Sequence, residues 1–293
     1  MTAEPATVLA SEMHLMASHH TGRTYRITIG LPLGYTASPG EGWPFNNTPA
    51  TWPVVYVLDG NWYFGMVTDL IRPMAWCGST TDAIVVGIGY PEGPDPKEVI
   101  RESFIRRDHD LTPIRDEAVA QSMEQTFQRP VPNGDALNFH QFIKEELIPF
   151  IEQTYRADPS RRILVGHSYG GLFALLGLFE TRDLFETVVI GSPTLSYGNR
   201  FMFGREEAFA RDHQRLPARV YLYAAELEEA LDDTTLTDTL RLAVILQSRN
   251  YEGFSLVRQV FPDQNHCEVA APGFQAGLKF ALKKGAGHQG SNT

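Results

Sequence analysis

Five short runs of almost unbroken apolar residues recur along the chain: Val54–Leu58, Ala83–Ile88, Arg162–Val165, Thr187–Ile190 and Val220–Tyr223. Runs of four to six such residues suit strands buried on both faces, the signature of a parallel sheet covered by helices. Helical spacing appears between them, as in Phe139–Tyr155, where Phe142, Ile143, Leu147, Ile148 and Ile151 recur at three- and four-residue intervals. Alternating strands and helices predict a doubly wound α/β fold with helices on both faces and a ligand site beyond the carboxyl ends of the strands. Thr24–Leu31 differs, with Tyr25, Ile27, Ile29 and Leu31 alternating. That period predicts a half-buried, outer antiparallel strand.

At 293 residues, with 43% hydrophobic and 20% charged side chains, the chain can bury one large core. A single domain over 1–282 is expected. The stretch from Tyr90 to Asp135 breaks the rhythm with six prolines and many charges, and its place after a strand end predicts a lid-like insertion over about 91–135. The Gly-rich residues 283–293 read as an unfixed tail. A formal net charge of −10 excludes the basic footprint of a nucleic-acid binder. Met1–Met16 has no Lys or Arg and no sustained apolar run, so neither a secretory leader nor a membrane span is expected. Cys77 and Cys267 are too few for a disulfide framework, which makes a reduced, cytoplasmic setting the expectation.

Chemistry is written most clearly where Ile163-Leu164-Val165 runs into Gly166-His167-Ser168-Tyr169-Gly170-Gly171, followed by an Ala/Leu/Gly helix. Strand, tight turn and helix are the context that a Gly-x-Ser-x-Gly nucleophile elbow of an α/β hydrolase requires. Ser168 is the expected nucleophile, with the Tyr169 N–H and the helix N-terminus facing the developing oxyanion. His167 is read as part of the pocket wall. A serine hydroxyl needs a base, and in this fold the order is serine, acid, histidine. Among nine histidines, His266 follows the strand Phe254–Phe261 in the expected loop. The acid is expected after Val220–Ala225, with Glu228 first and Glu226 second. The second oxyanion donor is placed in Asp59-Gly60-Asn61-Trp62, where Gly60 turns the chain so that the Asn61 N–H faces the site. Asp59, Gly60 and Trp62 are read as lining the substrate pocket. None of this chemistry calls for a metal or organic cofactor.

Tyr56–Asn61, Arg107-Asp108-His109-Asp110-Leu111-Thr112-Pro113, the elbow, Glu228 and His266 together resemble the esterase D-like family of α/β hydrolases over nearly the whole chain. That family includes S-formylglutathione hydrolase, mycolyltransferases and enterobactin-type siderophore esterases, and the resemblance is nearest to the last. It implies a serine carboxylic-ester hydrolase acting on a small-molecule ester, siderophore-type or with an aryl or short acyl group. It further implies that Arg106 and Arg107 meet an anionic or catecholate group, the alternative being surface pairing with Asp108 and Asp110. Acyl transfer to an alcohol or thioester cleavage uses the same constellation, and a catalytically inactive binding protein is the reading from another class. Oligomeric state is not legible.

Overall fold

In a computed structural model that describes residues 6–40, 48–231 and 234–283, one sheet of eight strands organises the chain. The strands are β1 (Ser11–Ala17), β2 (Thr24–Gly30), β3 (Trp52–Val57), β4 (Ile84–Gly89), β5 (Ala157–His167), β6 (Thr187–Gly191), β7 (Arg219–Ala225) and β8 (Ser255–Phe261), in the order β1-β2-β4-β3-β5-β6-β7-β8. β1, β2 and β4 pair antiparallel, and every pair from β4 through β3 to β8 is parallel. This is the α/β-hydrolase fold. β2 is antiparallel as its alternation predicts, but it is not the outer strand, because β1 pairs along its whole length.

Nine α-helices occur among the described residues: α1 (Gly60–Trp76), α2 (Pro96–Leu111), α3 (Glu117–Phe127), α4 (Ala136–Gln141), α5 (Ile148–Thr154), α6 (Tyr169–Glu180), α7 (Tyr197–Asp212), α8 (Thr235–Ser248) and α9 (Ala270–Ala281). α4 and α5 form one rod, widened by a π-helical stretch at Phe142–Leu147. The apolar runs serve both faces at once. Val54, Tyr56, Leu58 and Leu164 face a core shared with Phe139, Phe142, Phe173 and Leu242 of α4, the π stretch, α6 and α8. Their neighbours Val55, Val57, Ile163 and Val165 face a second core with Phe64 and Val67 of α1 and Phe274 and Leu278 of α9. Each fully buried side chain of this size contributes about 1.5–3 kcal/mol, and alternation distributes that gain over both layers.

The segment expected as a lid-like loop is helical. Asp95 caps α2, accepting from Lys97 N at 2.9 Å, with Pro96 in the first turn. Asp116 caps α3 in the same way, accepting from Ala118 N at 3.0 Å and Val119 N at 3.1 Å. α2 buries Arg107, Asp108 and Asp110, whereas α3 has no fully buried residue. Among the described residues no helix is long and apolar enough to cross a membrane. The tail expectation falls on 284–293, outside the described residues.

Candidate active site

The elbow stands at the centre of the sheet, where β5 ends and α6 begins. Ser168 has φ 61° and ψ −121°, a backbone conformation that costs free energy and lifts the side chain above the strand ends. Its own N–H is held by Gly191 O at 2.9 Å and its carbonyl accepts from Leu172 N at 2.9 Å. The turn closes only because its flanks lack side chains. A Cβ on Gly166 would lie 2.2 Å from Gly170 O, and one on Gly171 would lie 2.5 Å from Gly191 O. Tyr169 opens α6, so its N–H has no partner within the helix.

β3 lies beside β5 and delivers the second helix start. Asp59 takes the left-handed conformation at φ 52°, and its carbonyl accepts from Trp62 N at 2.9 Å and Tyr63 N at 3.1 Å, leaving the Gly60 and Asn61 amides at the N-terminus of α1. Gly60 is required by close approach, since a Cβ there would sit 2.7 Å from the main chain of Gly87 and Ile88. The Asn61 side chain ties this turn to the end of β4. Its Oδ1 accepts from Tyr90 N at 2.6 Å, and its Nδ2 donates to Tyr90 O at 2.9 Å.

Beyond β7 and β8, two turns are knitted together. Leu227 N donates to Gln264 O at 3.0 Å, and Asp263 N donates to Glu226 Oε2 at 3.0 Å. Glu228 is 2% exposed; one carboxylate oxygen accepts from Ala225 N at 2.9 Å and the other from His266 Nδ1 at 2.7 Å. With Nδ1–H committed to Glu228, Nε2 of His266 keeps its lone pair. Asn265 Oδ1 accepts from Cys267 N and Glu268 N, and Glu268 Oε2 accepts from Asn265 N at 3.0 Å, which fixes the turn that presents His266. Glu226 is exposed and serves the turn. The His266 ring packs on that of His167, centroids 4.8 Å apart, which puts the imidazole beside the elbow. The Ser168 hydroxyl is turned toward Thr194 Oγ1, 3.5 Å away, and among the described residues makes no hydrogen bond to His266.

Four residues expected at the pocket surface lie beneath it. Arg107 is 6% exposed and donates through Nε and Nη2 to the two Asp59 oxygens at 2.8 and 3.0 Å, with Trp62 and Tyr169 ring centroids 5.3 and 5.1 Å from its guanidinium carbon. Asp59 and Gly60 are buried with it. The pair supports the loop before Asn61, with the Nε–Nη2 edge of the guanidinium committed to Asp59. The alternative pairing with Asp108 and Asp110 is not seen either. Asp110 accepts from Arg23, and both Asp108 oxygens are buried without a hydrogen-bond partner among the described residues. Burial pushes the Asp108 carboxyl up to about 6. His167 is 3% exposed, and burial, followed by the field of His266, pushes its imidazolium down to about 3. Its ring lies buried against that of His266. Trp62 and Arg106 remain accessible; Trp62 packs on Phe104 at 4.9 Å, Phe104 on Phe127 at 6.3 Å, and Arg106 faces Glu102 at 3.8 Å. Trp76 stands at the far end of α1 and Tyr63 packs on Phe274.

Thr194, just beyond the end of β6, was not legible beside Ser168, although it follows the rule that chemistry gathers after strand ends; Tyr223, inside β7, carries no such signal. His109, Asp110 and Asp135 place ligand atoms within 4.8 Å of one another. The Arg23 guanidinium already donates to both carboxylates there, a cation in the place a metal would take.

Residues 18–252 match the family model described as "Putative esterase". The chain belongs to that family. Ferri-bacillibactin esterase BesA of Bacillus subtilis is 30% identical over 98% of this chain and 94% of its own length. A siderophore enterobactin esterase of Emericella nidulans is 32% identical over 63% of this chain and 58% of its own. Among solved structures, the BES protein of Bacillus cereus superposes with a TM-score of 0.76 at 26% identity, covering 97% of this chain and 99% of that one. The chain is an esterase of the α/β-hydrolase fold.

Proposed function

We propose that this esterase works through an acyl-enzyme on Ser168, with His266 as general base, Glu228 as the acid that orients it, and the Tyr169 and Asn61 amides as the oxyanion hole. The observation that carries the reading is the 2.7 Å His266–Glu228 bond, made by a sealed carboxylate on an imidazole lying beside the strained serine. Rotation of the Ser168 hydroxyl from Thr194 toward His266 Nε2 allows proton transfer as Oγ attacks the ester carbonyl. The carbonyl oxygen becomes an oxyanion between the starts of α1 and α6, where amides and helix dipoles are already oriented. The protonated histidine then delivers its proton to the leaving alkoxide. Water activated by the same nitrogen hydrolyses the acyl-enzyme.

For substrate, a siderophore-type ester is the reading that the named relatives support, and the row Trp62, Phe104 and Phe127 offers flat apolar surface for an aryl acyl group. On this reading 1–282 works as one domain, with 91–135 as its lid-like part. Two free thiols, Cys77 and Cys267, are consistent with a reducing, cytoplasmic compartment. The test is a hydrolysis panel setting p-nitrophenyl esters of rising chain length against a catecholate trilactone, with Ser168→Ala as control. Preference for the trilactone is expected. Cleavage of short acyl esters alone would overturn the siderophore assignment, and turnover by Ser168→Ala would overturn the mechanism.

A further inference from the structure

His167 is joined by a peptide bond to Ser168 and packed against His266, yet is almost sealed from solvent. Its Nδ1 lies 3.3 Å from the hydroxyl of Tyr223, a residue wholly enclosed in β7, and the two rings are nearly parallel at 16°. The chain makes room for that phenol from two sides. A Cβ on Gly191 at the end of β6 would lie 2.1 Å from Tyr223 Cζ, and one on Gly273 in α9 would lie 2.3 Å from Cε2. Tyr63 and Phe274 stand edge-on to the His167 ring, centroids 6.3 and 6.4 Å away at 83° and 85°. His167 Nε2 is sealed and closes no hydrogen bond among the described residues, with the main chain of His266 beside it.

We infer that His167, clamped by Tyr223, is a positioning residue that supports the face of the His266 imidazole while Glu228 holds its edge. A single hydrogen bond at Nδ1 leaves the imidazole free to swing about that bond, and such a swing displaces Nε2 from the serine. The His167 ring, tilted by 41° with centroids 4.8 Å apart, lies against the imidazole and restricts this freedom. Because His167 and Ser168 are consecutive, one rigid strand end carries both the nucleophile and the support of the base. Orientation of this kind governs the rate of the chemical step and leaves ground-state binding nearly unchanged.

The inference rests on the serine mechanism proposed above but not on a siderophore substrate, so p-nitrophenyl acetate serves as the probe. His167→Phe keeps an aromatic ring and removes the Tyr223 contact, Tyr223→Phe removes the same contact from the other side, and His167→Asn keeps a polar group near the Nδ1 position. His167→Phe should lower kcat by about tenfold or more, within the ~100-fold that a misplaced catalytic group can cost, with KM changed by less than about twofold. Tyr223→Phe should lower kcat in the same direction, the double variant should be no worse than His167→Phe alone, and His167→Asn should fall between it and the wild type. Thermal unfolding of each variant reports whether the fold is kept. An active wild type matched in kcat by His167→Phe, or additive losses in the double variant, would overturn the inference. Turnover kept by Ser168→Ala would overturn the serine mechanism and this inference with it.

Discussion

Replacing Arg107 by Met keeps an unbranched stem of similar reach and strips the guanidinium from Asp59. Both partners are nearly sealed, with side-chain exposures of 7% and 2%, and two charge-assisted bonds of 2.8 and 3.0 Å join them. Removing one member of such a pair leaves the other charge buried and uncompensated, a loss of about 3–5 kcal/mol. Two hydrogen bonds to charged groups, at about 1.5–3 kcal/mol each, reach the same range independently. At roughly 2 °C per kcal/mol for a chain of this size, the melting temperature should fall by about 6–10 °C. Adding Asp59→Asn removes the stranded charge, so the double variant should recover most of that stability. Activity should not recover with it. Asp59 opens the turn that carries Asn61, and a displaced oxyanion donor is expected to lower kcat by about 100-fold or more in both variants. The assay pairs thermal unfolding by circular dichroism with kcat and KM on a neutral and an anionic p-nitrophenyl ester. An unchanged melting temperature, with KM raised for anionic esters alone, would refute the reasoning and place the guanidinium against substrate.

Glu228→Gln should lower kcat by about 100- to 10,000-fold, because a mis-held imidazole loses both its tautomer and its charge stabilisation; the exposed Glu226→Gln should lose far less, and the reverse order in steady-state kinetics would move the acid. His140 is stacked on Phe173 at 3.8 Å with neither ring nitrogen hydrogen-bonded among the described residues, and burial pushes its imidazolium down to about 3. Its folded form resists a proton that the unfolded chain takes up near 6.5, so it costs stability as pH falls below that value. Asp82, Asp108 and Asp110, pushed up to about 6 by burial, act in the opposite sense between 6 and 3.8. His140→Phe should therefore gain about 2 kcal/mol relative to wild type on going from pH 7 to pH 5, read from paired urea titrations; parallel pH profiles would contradict this. Gly166→Ala, whose Cβ would meet Gly170 O at 2.2 Å, should yield no soluble protein or one without turnover.

The inner sheet was legible because its strands bury both faces, so Val54–Leu58 and Ile163–Val165 carry an unbroken apolar signal that no helix of that length would show. The elbow was legible for a related reason: only glycine fits where the strand, turn and helix backbones meet. β1 was not. Ser11–Ala17 is an edge strand partly open on both faces, so Met13 and Leu15 stand exposed and the alternation that marks a half-buried strand is lost. His14 of β1 bonds Tyr155 Oη at 2.9 Å. α2 hid for the opposite reason. Its buried residues include Arg107, Asp108 and Asp110, whose charges look like a solvated face until Asp59 and Arg23, distant in sequence, are brought against two of them. The same limit explains why Arg107 and His167 were expected to face substrate. Sequence places a residue near a site, whereas its burial depends on partners that only the fold assembles.

The central claim is that Ser168 is the one activated nucleophile, and an aryl fluorophosphonate tests it most directly. Intact-mass and peptide analysis should find a single adduct on Ser168, formed in step with loss of esterase activity, slowed in Glu228→Gln and absent from Ser168→Ala. A stoichiometric adduct on another residue, or esterase activity that survives full modification of Ser168, would contradict the account.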